Sequence, residues 1–173
     1  MTAAPRERWF GREFGNDVLP SLAPNLITRL AGAPVRLEEM VGRMAADART
    51  RRSREEWSVQ ENAGHLLDLE SLWLARLDDF LNGIETLTPA DLENTKTHEA
   101  GHNDRPIEGI LAGFREERLG LVARLDALGA EAFSLTALHP RLQQPMRLID
   151  LLVFVAEHDD HHLAKIRAAA AGA

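Results

Sequence analysis

Apolar residues along this chain recur mostly every three or four positions, which is the spacing of one face of an α-helix. No long stretch alternates apolar and polar residues in the way that a half-buried strand would. The pattern therefore predicts an all-α protein. It predicts four helices, at about residues 20–46, 58–82, 106–128 and 147–170.

Three positions add detail to these helices. Ser58 and Glu61 form the S-x-x-E pattern of a capping box, which marks a helix start by reciprocal hydrogen bonds between side chains and backbone. Pro106 suits the first position of the third helix. Pro34 lies inside the first helix and predicts either a kink or a new helix start, because proline lacks the backbone donor.

Two longer connections join the helices and are predicted to be irregular. Residues 83–105 are polar and rich in turn formers, with one helical turn expected near residues 89–92, and residues 130–146 contain two prolines. Four amphipathic helices with two long connections indicate a four-helix bundle. No Gly/Ser-rich linker divides the chain, so residues 1–173 are predicted to form one domain.

Composition narrows the classes of function. The net charge of −7 argues against binding to nucleic acid, which relies on Lys and Arg to neutralise phosphates. No apolar run is long enough to cross a bilayer, and the N-terminal stretch lacks the apolar segment of a signal peptide, so we expect a cytoplasmic protein. The absence of cysteine excludes disulfides, thiolate ligands and a cysteine nucleophile.

Two histidine pairs raise the question of a metal. The first, HEAGH at residues 98–102, matches the H-E-x-x-H pattern of zinc proteases, whose two histidines need one helix to face the same ion. The surrounding Asn, Thr, Gly and Pro residues favour turns instead of a helix. We therefore interpret this segment as a polar loop that happens to contain His98 and His102.

The second pair, His158 and His162, continues the apolar stripe of the last helix. Buried imidazoles need polar partners, and a shared metal would satisfy both rings. His65 is the best third candidate, because it lies one turn into the second helix beside Gly64, which permits close approach of another helix. His161 points about 100° away from His162 and is a weaker candidate. The alternative is three unrelated histidines with local hydrogen bonds.

Three segments of the sequence resemble the DinB/YfiT-like superfamily, in particular its DinB_2 group. They are RLAGAPVRLEEMV at residues 29–41, WSVQENAGHLLDLE at residues 57–70 and FVAEHDDHHLAKIR at residues 154–167. The likeness extends over about residues 6–170. It departs from the family pattern at Lys165, where relatives often carry Gln, and this change alters the charge beside the site without removing a ligand.

The resemblance implies a four-helix bundle with up-down-down-up topology, usually dimeric. It also implies a divalent metal held by three histidines, which by motif position are His65, His158 and His162. Three imidazoles suit Zn, Ni, Fe or Mn and leave positions open for water or substrate. Characterised relatives include thiol-dependent S-transferases, an isomerase that uses small thiols, and hydrolase-like proteins.

We therefore expect a metal-dependent transferase or hydrolase that acts on a small molecule, with any thiol supplied as a cosubstrate. The alternative is a non-catalytic metal-binding helical dimer, in which the ion contributes to folding stability. The loop at residues 83–105 is a candidate to fold over the metal, where His98 or His102 would contact substrate or add a ligand. The carboxylates of Glu61, Asp68 and Asp159 are expected to be solvated in preference to supporting the ligands, and Trp57 and Trp73 are expected to pack in the core.

Overall fold

The computed structural model describes residues 8–15, 17–52 and 56–171. The first seven residues, on which the expectation of no signal peptide partly depends, lie outside this range. In the described residues the α-helices are α1 (Ala23–Gly42), α2 (Ala46–Thr50), α3 (Val59–Asp68), α4 (Glu70–Leu81), α5 (Thr95–Glu99), α6 (Ile107–Asp126) and α7 (Leu148–Ala171). Short 3-10 helices occupy Trp9–Gly11, Pro20–Leu22, His102–Asp104 and Ala130–Ser134.

The long helices α1, α6, α7 and the α3–α4 pair form a four-helix bundle, as predicted. The apolar stripes of these helices meet in its interior, where several of the largest side chains are fully enclosed. These include Leu30, Leu37, Leu66, Leu77, Ile110, Phe114, Leu125 and Leu148. None of the helices in the described residues is both long and apolar enough to span a membrane.

Helices α4 and α6 run parallel to each other. Glu70 pairs with Arg118, and Asp78 pairs with Arg124, so residue numbers increase together along the two helices. Consecutive parallel helices need a connection that returns along the length of the bundle. Residues 82–106 provide this crossover.

Helix α7 runs antiparallel to the α3–α4 pair. The ring of His162 contacts Asn62 near the start of α3, whereas Phe154, two turns earlier in α7, packs on Trp73 in α4. Helix α1 is antiparallel to α6, because Leu30 and Glu38 in α1 contact Arg118 and Arg115 in α6, in reverse order. Together these directions give the up-down-down-up arrangement that was expected.

Helix α1 continues through Pro34 without ending, so the predicted new helix start is wrong. Proline cannot donate to the carbonyl of Leu30 four residues earlier. The guanidinium of Arg118 in α6 donates to that carbonyl at 3.4 Å and takes the place of the missing partner. Glu38 contacts Arg115 further along the same two helices, which shows that α1 and α6 are antiparallel.

The second predicted helix begins as expected and is interrupted once. The side chain of Ser58 accepts from the backbone N–H of Glu61, and the Glu61 carboxylate accepts from the backbone of Ser58, which confirms the capping box. The break between α3 and α4 falls at Leu69. There the carbonyl of Asp68 accepts from Lys96 Nζ at 3.0 Å.

The two connections contain more structure than was predicted. In the crossover, the helical turn is not at residues 89–92 but at α5, which follows Asn94 in a left-handed conformation with φ of 54°. Residues 130–146 were expected to be irregular but form a 3-10 helix and most of a β-hairpin. Its strands are β1 (Thr136–His139) and β2 (Gln144–Arg147), and Leu138 in β1 also bridges to Thr86 in the crossover.

Candidate metal centre

The structure brings His65, His158 and His162 together in the middle of the bundle. One nitrogen from each ring lies within 4.8 Å of the corresponding nitrogens of the other two. The ring centroids are 4.6 Å apart for His158 and His162, which lie one turn apart on α7, and 4.7 Å apart for His65 and His162. All three side chains are buried. The sequence-predicted residues are therefore in one place and can share an ion.

Asn62 determines which nitrogen of His162 faces the cluster. The Asn62 amide nitrogen donates to the carbonyls of Trp57 and Ser58, so its Oδ1 is left to accept. This oxygen lies 2.8 Å from Nδ1 of His162. Nδ1 must carry the proton, and Nε2 therefore keeps the lone pair that a metal requires.

His65 is held in the same tautomer by a chain of two hydrogen bonds. The Thr97 hydroxyl donates to Asp68 Oδ2 at 2.9 Å and so accepts from Nδ1 of His65 at 3.0 Å. Nε2 of His65 is again the nitrogen with a lone pair. Metal-binding histidines usually donate their second ring N–H to a carboxylate, a backbone carbonyl or water. For His65 the acceptor is the Thr97 hydroxyl, which Asp68 holds in place.

The ligand rings are neutral at ordinary pH. The pKa of His65 is lowered to about 4, chiefly by burial, with Asp68 opposing the shift and Lys165, His102 and His98 adding to it. Burial and the adjacent histidines also lower the pKa values of His158 and His162 well below 6.5. Neutral imidazole is the form that binds a metal, so protons compete weakly for these three sites.

One polar atom in the cluster is unsatisfied. Nδ1 of His158 is buried and has no hydrogen-bond partner in the part of the chain that the structure describes. A buried imidazole without full hydrogen bonding costs about 1–3 kcal/mol. Three neutral imidazole rings, two of which are oriented by hydrogen bonds at Nδ1, form a donor set that fits a divalent ion of the Zn, Ni, Fe or Mn type.

The cluster borders a cavity of about 450 Å³. Its walls are largely apolar and aromatic. Trp57 packs on His65 at 4.8 Å between ring centroids, and Trp73 and Trp9 pack edge-on against His158 at 5.9 and 5.0 Å. Trp57 and Trp73 were expected to pack in the core, with a role as pocket walls as the alternative, and both of them line the cavity.

The three carboxylates that were expected to be solvated are all buried. Asp68 supports His65 through Thr97, as described above. Glu61 completes the capping box and pairs with Arg52. Asp159 pairs with Arg118. Sequence reasoning overlooked Asn62 and Thr97, although Asn62 lies one helical turn before His65 and that spacing is a usable signal.

The HEAGH segment does not form a protease site. Gly101 has a left-handed φ of 59°, so His98 lies in the last turn of α5 whereas His102 begins a separate 3-10 helix. The exposed ring of His98 packs on Trp57, while Nε2 of His102 lies 2.8 Å from Asp68 Oδ2. Neither joins the three-histidine cluster. His161 is half-buried and lines the cavity beside Trp9.

Gly64 was expected to allow close approach of another helix. In the structure it is the crossover, through His102, that packs against Gly64. A Cβ atom at Gly64 would lie 2.3 Å from Cγ of His102, well inside contact distance. The His102 ring therefore packs directly against the backbone of α3 at Gly64. Gln60 donates to the carbonyl of His102 from the same helix and secures the contact.

We expect Gly64→Ala to lower the free energy of unfolding by about 1–3 kcal/mol, because the added methyl group displaces the His102 ring. Gly120→Ala in α6 is the matched control. It has open space around the new Cβ atom and should raise stability by about 0.5–1 kcal/mol. Urea unfolding followed by circular dichroism measures both changes. Equal stability of Gly64→Ala and the wild type would contradict the packing described.

Comparison with known proteins agrees with this architecture. Residues 29–166 match the family model of the DinB superfamily, DinB_2. YfiT from Bacillus subtilis, described as a probable metal-dependent hydrolase with an unusual four-helix bundle topology, superposes with a TM-score of 0.81 at 21% identity over 91% of both chains. A protein from Streptococcus pneumoniae superposes with a TM-score of 0.62 at 15% identity, again over 91% of both chains. No curated protein sequence matches the chain significantly.

Proposed function

Because the chain belongs to the DinB superfamily, we propose that it is a divalent-metal-dependent enzyme with His65, His158 and His162 as the metal ligands. The observation that carries this proposal is the convergence of three neutral, buried imidazoles at the edge of a cavity large enough for a small molecule. A structural metal site closes its coordination sphere with four protein ligands. Among the residues that the structure describes, this cluster offers three, which favours a site that leaves a position for water or substrate.

We propose hydrolysis of a small molecule as the reaction. A bound divalent ion would supply a water of lowered pKa and polarise a carbonyl or similar group. The residues of this chain would orient the metal-binding rings and exclude bulk water from part of the site. Asn62 and Thr97 hold two rings in the ligating tautomer, and the indoles of Trp9, Trp57 and Trp73 keep bulk water away from one side of the cluster.

Thiol-dependent transfer is the second candidate. It needs a small thiol as cosubstrate, because the chain contains no cysteine. Aromatic walls on several sides of the cavity favour a substrate with an apolar body in either reaction. A homodimer in the cytoplasm, without nucleic acid or membrane partners, remains our expectation for the working form of the protein.

Metal analysis and a substrate screen test the proposal together. We expect about one divalent ion per chain by mass spectrometry of the purified protein, and a melting temperature that falls after chelation and recovers on adding Zn²⁺, Ni²⁺, Fe²⁺ or Mn²⁺. Esters and amides probe hydrolysis, and small thiols mixed with electrophiles probe transfer. Bound metal without turnover in either screen would support the non-catalytic dimer, and protein without affinity for any of these ions would refute the metal site.

A further inference from the structure

The cavity has a second polar end, away from the three histidines. Arg76 in α4, His139 at the end of β1 and Arg141 in the hairpin turn all line it. Arg76 is 1% exposed and His139 is also 1% exposed. Trp73 lies between the two ends, with its ring centroid 5.9 Å from that of His158 and 5.6 Å from Cζ of Arg76.

Hydrogen bonds at this end leave it rich in donors. The backbone N–H groups of Arg141 and Leu142 both donate to Nδ1 of His139 at 3.2 Å, so Nδ1 carries the lone pair and Nε2 carries the proton. Nε2 lies 3.3 Å from Nη1 of Arg76. Two donors therefore face each other, and an acceptor placed between them would satisfy both.

The positive charges at this end lack a directly paired carboxylate. Within the described residues, the guanidinium of Arg76 donates to the carbonyl of Thr88 at 2.9 Å, and no carboxylate forms an ion pair with it. Asp79 is the acidic group that affects Arg76 most, but its Oδ2 accepts from the backbone of Thr88. Nη2 of Arg141 is buried and has no hydrogen-bond partner among the residues described.

Buried guanidinium groups are normally neutralised by carboxylates or phosphates. Among the described residues no carboxylate contacts the guanidinium of Arg76 or of Arg141, which leaves this position open to a bound anion. The cavity around these residues is apolar, with Phe10, Trp73 and Phe154 in its walls. Both the charge and the surroundings suit an anionic group attached to an apolar body.

From this geometry we infer that Arg76, His139 and Arg141 form the binding site for a carboxylate on the substrate. The inference rests on the proposed function, since it assumes that the reacting part of the same molecule lies at the three histidines. Nη1 of Arg76 and Nε2 of His139 can each donate to one carboxylate oxygen, and a carboxylate offers two oxygens in one plane. The proposed substrate class is therefore a small carboxylic acid with an aromatic or aliphatic body.

Binding of benzoate, benzamide, acetate and inorganic phosphate to the purified protein tests this site by calorimetry. Benzamide has the shape of benzoate without its charge. We expect benzoate to bind at least tenfold more tightly than benzamide, before and after treatment with EDTA. Benzoate binding that persists after chelation does not depend on the metal site. A failure of the proposed metal site would appear in the metal content and not in the affinity for benzoate.

Arg76→Gln and Arg141→Gln should each weaken benzoate binding about tenfold and leave benzamide binding unchanged. Arg124→Gln is the control, since it removes the same charge from a surface pair with Asp78. Arg141→Gln and the wild-type preference for benzoate keep the test decisive if Arg76→Gln does not fold. Equal binding of benzoate and benzamide, or an unchanged affinity in Arg141→Gln, would overturn the site. Displacement of benzoate by phosphate at lower concentration than by acetate would overturn the choice of a carboxylate.

Discussion

Replacing His162 by alanine is expected to abolish stoichiometric binding of a divalent metal. The substitution removes one of three ligands and leaves the amide oxygen of Asn62 without its donor. Loss of a group that merely supports a ligand weakens metal affinity 10–100-fold, so loss of the ligand itself should weaken it by more than about 100-fold. Metal content by mass spectrometry and titration calorimetry measure the change.

His98→Ala is the matched control, because His98 is an exposed histidine near the site that does not join the cluster. It should keep the metal content and the chelator-sensitive melting temperature of the wild type. Asn62→Ala should fall between the two, with affinity reduced about 10–100-fold. If His162→Ala binds one ion per chain as tightly as His98→Ala does, the assignment of the three-histidine ligand set is wrong.

Arg118→Met is expected to lower the free energy of unfolding by about 3–5 kcal/mol, the usual consequence of removing one member of a buried ion pair. Arg118 in α6 contacts Glu70 in α4, Asp159 in α7 and the carbonyl of Leu30 in α1. It therefore joins all four parts of the bundle, and both of its carboxylate partners are buried. Methionine fills similar volume but leaves those oxygens unpaired.

The loss of stability should depend on pH in a defined direction. Burial already raises the pKa of Glu70 to about 7, and the guanidinium of Arg118 opposes that rise. Without the guanidinium the pKa rises further, so the folded variant takes up a proton more readily than the unfolded chain. The deficit should therefore shrink as pH falls from 7 toward 5.

Arg124→Met provides the comparison for Arg118→Met. Arg124 pairs with Asp78 on the surface, where both side chains are about half exposed. Such a pair contributes under about 1 kcal/mol, so its loss should change the unfolding midpoint little. Guanidinium chloride unfolding at pH 7 and pH 5 measures all three proteins. Equal losses in the two variants would show that the buried cluster does not hold the bundle together.

Sequence periodicity was sufficient for the four long helices, because an apolar stripe over many turns is a strong signal. The capping box at Ser58 also located a helix start correctly. The β-hairpin at residues 136–147 was missed, since each strand has four residues and Pro145 lies inside the second. Its position depends on a contact between Leu138 and Thr86, which are far apart in the sequence.

The clustering of the histidines was predictable because His158 and His162 interrupt an apolar stripe. Polar residues on a buried face need polar partners, and this interruption is visible in the sequence. Continuation of α1 through Pro34 was not predictable, because the donor that compensates for proline comes from Arg118 in another helix. The second polar end of the cavity was likewise hidden, since α4 and the hairpin meet only in the folded chain.

The crossover at residues 82–106 forms one side of the cavity through Pro89, Leu92 and Asn94, none of which is part of the buried core. Substitutions at these three positions would therefore alter which molecules fit without dismantling the bundle. Thr97 is different, because it holds the ring of His65. The crossover therefore contains both positions that set which molecules fit the cavity and a position that supports a candidate metal ligand. Changes at the first kind can alter substrate selectivity without altering the three histidines.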